Sequence, residues 1–159
     1  MNSDHIRAFL SEHRLRGEVV VLPEHTPTVE AAARAVGASV ERIAKSILFI
    51  ADGAPVLVIA NGLSRVDYRR VADYLGLTRK KLKLADSDTV LNITGFRVGT
   101  VPPFGHKTRL RTLMDVNVLV QPEVFAGGGA IDALLRITPA EIVRATNAEK
   151  VDVVMLTEG

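Results

Sequence analysis

With 159 residues, 47% hydrophobic and 24% charged, the chain has the size and balance of one globular domain, expected to span residues 1–159. The absence of cysteine excludes disulfides, thiolate metal ligands and a cysteine nucleophile, and aromatic residues at 4% leave the core to Val, Ile, Leu and Ala. A net charge of +2 is compatible with an anionic partner without demanding one.

The start, Met1-Asn-Ser-Asp-His-Ile-Arg7, is polar and acidic and does not read as a signal peptide. Ile6, Phe9, Leu10 and His13 then recur at helical spacing over residues 4–16, with Ser3 or Asp4 as cap and Gly17 as stop. Glu18 to Leu22 reads as a strand ended by Pro23. Thr28 is the natural N-cap of a helix carrying Val29, Ala32, Ala33 and Val36, closed by Gly37. Ser39 opens a short helical turn over Val40 to Ile43.

Lys45 to Ala51 and Pro55 to Asn61 read as two strands joined by an Asp52-Gly53-Ala54 hairpin. Both are nearly all apolar, which predicts a sheet covered on both faces. Asp52, Gly53, Pro55 and Asn61 interrupt the apolar region from Ser46 to Leu63, so no membrane span is expected. Asp67 to Leu75 has the pattern of an amphipathic helix, Arg79 to Lys83 is a basic patch, and Asp86 to Ile93 suits another helix.

Gly95 to His106 packs three glycines and two prolines into twelve residues. Glycine permits positive φ and close backbone approach, and proline fixes φ and removes a donor. The stretch reads as a rigid loop, either a shaped wall with exposed amides or a long connector between strands. Beyond it, Thr112 to Asp115 and Asn117 to Val120 read as short strands, and Val124 to Ala130 as a strand breaking into a second glycine loop. Ala133 to Ile137 is a further strand. Thr138-Pro-Ala-Glu141 carries a helix cap with Pro at the first position, and Val151 to Leu156 closes the chain as a strand or tail. The whole pattern is mixed α/β of the α+β type.

Chemistry concentrates at few positions. Lys45 opens an apolar strand after a helical turn, which puts its ammonium at the sheet rim, where it is either a solvated strand end or a partner for a phosphate or developing oxyanion. The two glycine loops could set backbone amides beside it. There is no G-x-S-x-G elbow, P-loop or dinucleotide fingerprint. The histidines His5, His13, His25 and His106 are scattered without ligand spacing, so no metal and no cofactor is expected. His106, just past the loop, is the histidine that merits a catalytic test, against the alternative of a surface loop residue. Asp115 is either a turn residue or the partner of a ligand amine. Arg69, Arg70, Arg79, Lys80, Lys81 and Lys83 suit a solvated face or weak phosphate contact.

The order of these features, from about Thr26 to Ile137, resembles the YbaK and prolyl-tRNA editing domain family, the trans-acting aminoacyl-tRNA deacylases. The resemblance rests on Thr26-Pro27, Lys45-Ser-Ile-Leu-Phe49 and Asn61-Gly-x-x-x-x-Asp67. It rests also on the G-x-x-x-P motif Gly99-Thr-Val-Pro-Pro103 with Phe104-Gly105, and on Asp115 and Gly127-Gly128-Gly129. It implies a curved mixed β-sheet flanked by helices, enclosing a pocket for the aminoacyl group on a terminal adenosine. It implies metal-free hydrolysis of a mischarged tRNA ester, of the Ala- or Cys-tRNA(Pro) type, in the cytoplasm. Lys45 would be the catalytic residue, with Thr26, Gly99, Pro103, Gly105, His106, Asp115, Gly127 and Gly128 in substrate binding. The partners implied are the acceptor end of mischarged tRNA and an aminoacyl-tRNA synthetase. A non-catalytic module binding aminoacyl-adenosine, tRNA or a synthetase is the alternative. The chain departs from the pattern at Pro102, where many members carry a hydroxyl residue, and at Gly129 and Ala130, where many carry basic ones.

Overall fold

The structure, a computed structural model, describes residues 1–155. Helix α1 (Ser3–Glu12) starts one residue earlier than the composition suggests, because Asn2 rather than Ser3 or Asp4 caps it. The Asn2 side chain accepts from Asp4 N–H at 3.0 Å, and His5 Nδ1 accepts from Asn2 N–H at 3.0 Å. This pair satisfies two donors that a helix start leaves free. The helix also ends earlier than expected, with Arg14 at a φ of 52° turning the chain into β1 (Gly17–Val21). Helix α2 (Val29–Val36) runs from Thr28, whose Oγ1 accepts from Ala31 N–H at 3.1 Å, to left-handed Gly37.

A three-residue 3₁₀ turn, Val40–Arg42, leads into β2 (Ala44–Ala51), which returns as β3 (Ala54–Asn61). Asp52 and Gly53 both take positive φ, 48° and 83°, the requirement of the two-residue turn that matches strand twist. Helix α3 (Tyr68–Tyr74), capped by Asp67, is followed by a 3₁₀ turn, Arg79–Lys81, and by β4 (Leu82–Leu84). The basic patch thus ends in a strand that its lysines conceal. Helix α4 (Ser87–Thr94) is capped by Asp86 and closed by Gly95.

After the glycine–proline loop come β5 (Arg111–Asp115), α5 (Val116–Leu119), β6 (Val124–Gly127) and β7 (Ala133–Ile137). Residues 117–119, expected as strand, are helical. Asp115 Oδ2 accepts from both Asn117 N–H, at 3.0 Å, and Asn117 Nδ2, at 2.9 Å, and this cap overrides the strand preference of the following valines. Helix α6 (Pro139–Thr146) and β8 (Glu149–Val151) follow. Val154 forms an antiparallel bridge with Val66, while Leu156, placed by sequence in the same closing strand, lies outside the described residues.

The strands form two sheets, one antiparallel in the order β1-β7-β6, the other mixed in the order β4-β2-β3-β5-β8. A parallel bridge between Ile43 and Phe125 joins them. The mixed sheet is covered on both faces, as its apolar strands require. Leu48, Leu57 and Ile59 pack with Ile6, Phe96 and Ile142 on one side. Phe49, Val56 and Val58 pack with Val71 and Val153 on the other. Each fully buried side chain of this size contributes about 1.5–3 kcal/mol.

A candidate aminoacyl-binding cleft

The site forms where the two sheets separate. Strand β4 pairs with β2 only over Phe49–Ala51, which leaves the earlier half of β2 facing β6, and Ile43, just ahead of β2, bridges to Phe125. Beyond that bridge a cavity of about 440 Å³ opens. Ala44, Ser46 and Leu48 of β2 line one wall, and Phe125, Ala126 and Gly127 of β6 line the other. Thr26, Thr28, Val29 and Ala32 contribute the α2 side, and Val98, Gly99 and Val101 come from the glycine–proline loop. Leu84, Val98 and Ile131 line it while staying exposed, so its rim is apolar.

Lys45 stands at this cavity, second residue of β2, with its side chain exposed. It forms no ion pair with a carboxylate among the described residues. Its charge is therefore available to a ligand, where other surface cations such as Arg111 and Arg144 are held by Glu149 and Glu141.

The glycine–proline loop is held rigidly from below. Thr94 Oγ1, fully buried, donates to Val90 C=O at 2.7 Å and accepts from Phe96 N–H at 3.0 Å. Phe96, Val101 and Phe104 are buried as apolar anchors. Thr100 folds onto Arg97, its N–H and its Oγ1 both donating to the Arg97 carbonyl, at 3.0 and 2.8 Å. Between them Gly99 takes a φ of 88° with open space where a Cβ would stand. Its amide donates to no protein acceptor among the described residues.

The loop has two sides, and the residues expected in one site are divided between them. Thr26, Lys45, Gly99 and Gly127 meet at the first cavity. Pro103, Gly105 and His106 line a second cleft of about 470 Å³, with Phe9, Arg109 and Arg144. There His106 Nε2–H donates to Pro102 C=O at 2.7 Å, and burial pushes the imidazole below the ordinary histidine range, so the ring is a neutral brace of the loop. Asp115 is fully buried and lines neither cavity. Its Oδ1 accepts from Val153 N–H at 3.0 Å, a structural tie.

The second glycine run serves close packing. A Cβ at Gly128 would meet the Ala133 backbone at 2.5 Å, and its carbonyl accepts from Ser3 Oγ at 2.5 Å. Gly129, at φ 86°, lies against the backbone of Asn2 and Ser3. Sequence reasoning missed Ser46 and Phe125 as cavity residues. A hydroxyl inside an apolar strand was the available signal for Ser46; Phe125 had none, since its place depends on a long-range bridge. Among the described residues no group of three His, Asp or Glu side chains is placed to hold a metal ion, and no helix is long and apolar enough to cross a membrane.

Residues 23–145 match the family described as the aminoacyl-tRNA editing domain. The uncharacterized protein YwhH of Bacillus subtilis is 29% identical over 143 residues, 89% of each chain. The proline–tRNA ligase of Syntrophus aciditrophicus is 32% identical over 123 residues, 75% of this chain but 21% of the ligase. Among solved structures, a candidate trans-editing enzyme for prolyl tRNA synthetase superposes with a TM-score of 0.89 at 35% identity, over 97% of each chain. The hypothetical protein APE2540 superposes at 0.88 with 28% identity, over 95% of this chain and 99% of that one.

Proposed function

This chain belongs to the aminoacyl-tRNA editing domain family, and from that premise we propose that it is a deacylase acting in trans on mischarged tRNA. The observation that carries the reading is Lys45, a cation without a carboxylate partner among the described residues, at an apolar cavity whose lining includes the open Gly99 turn. The substrate would be a small amino acid esterified to the terminal adenosine, with Ala and Cys on proline tRNA as first candidates.

An aminoacyl ester is already activated, so hydrolysis needs placement and charge stabilisation more than a strong nucleophile. The Lys45 ammonium is suited to a phosphate of the acceptor end or to the negative charge that grows on the ester oxygen. The Gly99 amide is suited to the carbonyl. Water attacks the carbonyl carbon, and the neighbouring ribose hydroxyl relays the proton that it gives up. The new C–O bond forms, the ester C–O bond breaks, and the ribose oxygen leaves with a proton. One well-placed oxyanion donor supplies about 10²–10³ in rate, and holding the ester beside water supplies more. An activity of this kind belongs in the cytoplasm, beside the synthetase that charges the tRNA, and a contact with that enzyme would supplement the shallow hold on the tRNA itself.

The test is a deacylation assay on a panel of mischarged tRNAs with Lys45→Ala alongside. Turnover of at least one pair, lost in the variant, is the expected result. Turnover at the wild-type rate in Lys45→Ala removes Lys45 from the mechanism. Tight binding of an uncleavable aminoacyl-adenosine with no turnover supports a non-catalytic binding module.

A further inference from the structure

Among the described residues, Ser46 Oγ is the one buried side-chain oxygen or nitrogen without a hydrogen-bond partner. The residue lines the cavity and is itself half-buried, while its hydroxyl oxygen is turned into the wall. A buried hydroxyl without a partner is destabilising, and rotation about χ1 into another staggered well is fast. Alternation along β2 sets Ser46 on the same face as Ala44 and Leu48, which belong to the central core, and opposite to Lys45. The exposed cation and the unpaired, buried hydroxyl thus leave β2 on opposite faces while both residues line the cavity.

We infer that Ser46 is a specificity-determining residue whose hydroxyl pairs with the side-chain hydroxyl of the esterified amino acid, favouring Ser or Thr over Ala. The inference rests on the proposed deacylase reading and replaces its first candidates, Ala and Cys, with a hydroxyl-bearing amino acid. The group that reaches Ser46 is neutral, because the few hydroxyls of a mostly apolar lining, those of Ser46, Thr26 and Thr28, do not compensate a buried ammonium. The α-amino group therefore stays near the mouth, and the side chain points inward. There, a substrate hydroxyl and the Ser46 hydroxyl satisfy each other, whereas an Ala methyl leaves Ser46 as it is in the free protein. An apolar pocket alone discriminates poorly between a methyl group and a hydroxymethyl group, so a paired hydroxyl is what creates the preference.

The experiment compares kcat/KM for seryl-, threonyl-, cysteinyl- and alanyl-tRNA with the wild type, Ser46→Ala and Ser46→Thr, and records the melting temperature of each. The wild type is expected to favour the seryl or threonyl ester over the alanyl one. Ser46→Ala is expected to lower that ratio about tenfold, the factor that accompanies one hydrogen bond, while alanyl turnover is kept and the protein melts no lower. Ser46→Thr, which restores a hydroxyl, is expected to retain the preference. A wild type that hydrolyses esters with no preference for the hydroxyl side chain, or a ratio that Ser46→Ala leaves unchanged, overturns the role of Ser46 and leaves the deacylase reading intact. No hydrolysis of any ester by the wild type overturns both.

Discussion

A Cβ placed on Gly127 would stand 2.0 Å from the carbonyl oxygen of Val101. Strand β6 and the middle of the G-x-x-x-P loop therefore touch backbone to backbone, and this contact sets the distance between two walls of the cleft. Gly127→Ala is expected to destabilise the protein by about 2–4 kcal/mol, as an overpacked site that cannot relax through a side chain. Gly99→Ala has open space around the new Cβ and only the positive φ to oppose it, about 1–2 kcal/mol. Urea unfolding of both variants checks the order.

Lys45 is exposed and forms no ion pair among the described residues, so its removal touches catalysis or binding without touching the fold. Lys45→Met is expected to keep its unfolding free energy within about 0.5 kcal/mol of the wild type. If the ammonium meets a phosphate, binding of an uncleavable acceptor-stem analogue loses about 0.7–0.9 from its log–log salt slope. An unchanged slope would move Lys45 from the phosphate to the ester.

Asp115 accepts hydrogen bonds from Val153 on one oxygen and Asn117 on the other while fully buried. Asp115→Ala strands the buried Val153 amide and removes the cap of α5. A loss of about 2–4 kcal/mol is expected, with kcat/KM per folded molecule unchanged. A selective loss of activity at full stability would instead make Asp115 a substrate residue acting through α5.

Glu141 accepts from Arg144 and from the Arg16 amide, and the guanidinium holds its carboxyl down at about 2. Because this lies below the unfolded value of 4.5, the ionised form stabilises the fold fully above about pH 4.5, and the contribution fades as pH falls toward 2. Melting curves of wild type and Glu141→Gln should therefore differ most near neutrality and converge on acidification. Arg144 is half-exposed but Glu141 is mostly covered, so salt should narrow the gap only in part.

Local chemistry was easy to read where a cap and a stop act within one element. Thr28 with Gly37 and Thr138 with Pro139 mark their helices correctly, since each hydrogen bond or φ requirement is met within a few residues. Strand β4 was hidden because its leucines sit among lysines and its partner is Phe49–Ala51. Helix α5 was hidden because its valines favour strand and only the buried carboxylate of Asp115 decides otherwise. The site divides in the same way. Lys45, Thr26, Gly99 and Gly127 were visible as residue types in a pattern. That Pro103, Gly105 and His106 would face a different cleft was not visible, because it depends on how the loop sits on Phe96 and Phe104 in three dimensions.

Gly17–Val21 pairs along its whole length with Ala133–Ile137. The two partners are far apart in sequence, so the sheet that carries one wall of the cleft cannot close until β7 has left the ribosome. Loop closure over such a span slows folding, and until then β1 waits without its partner strand. The nascent protein therefore carries an unpaired strand edge while the elements between β1 and β7 are made, a state open to aggregation, and the cleft comes into being only once β6 and β7 arrive.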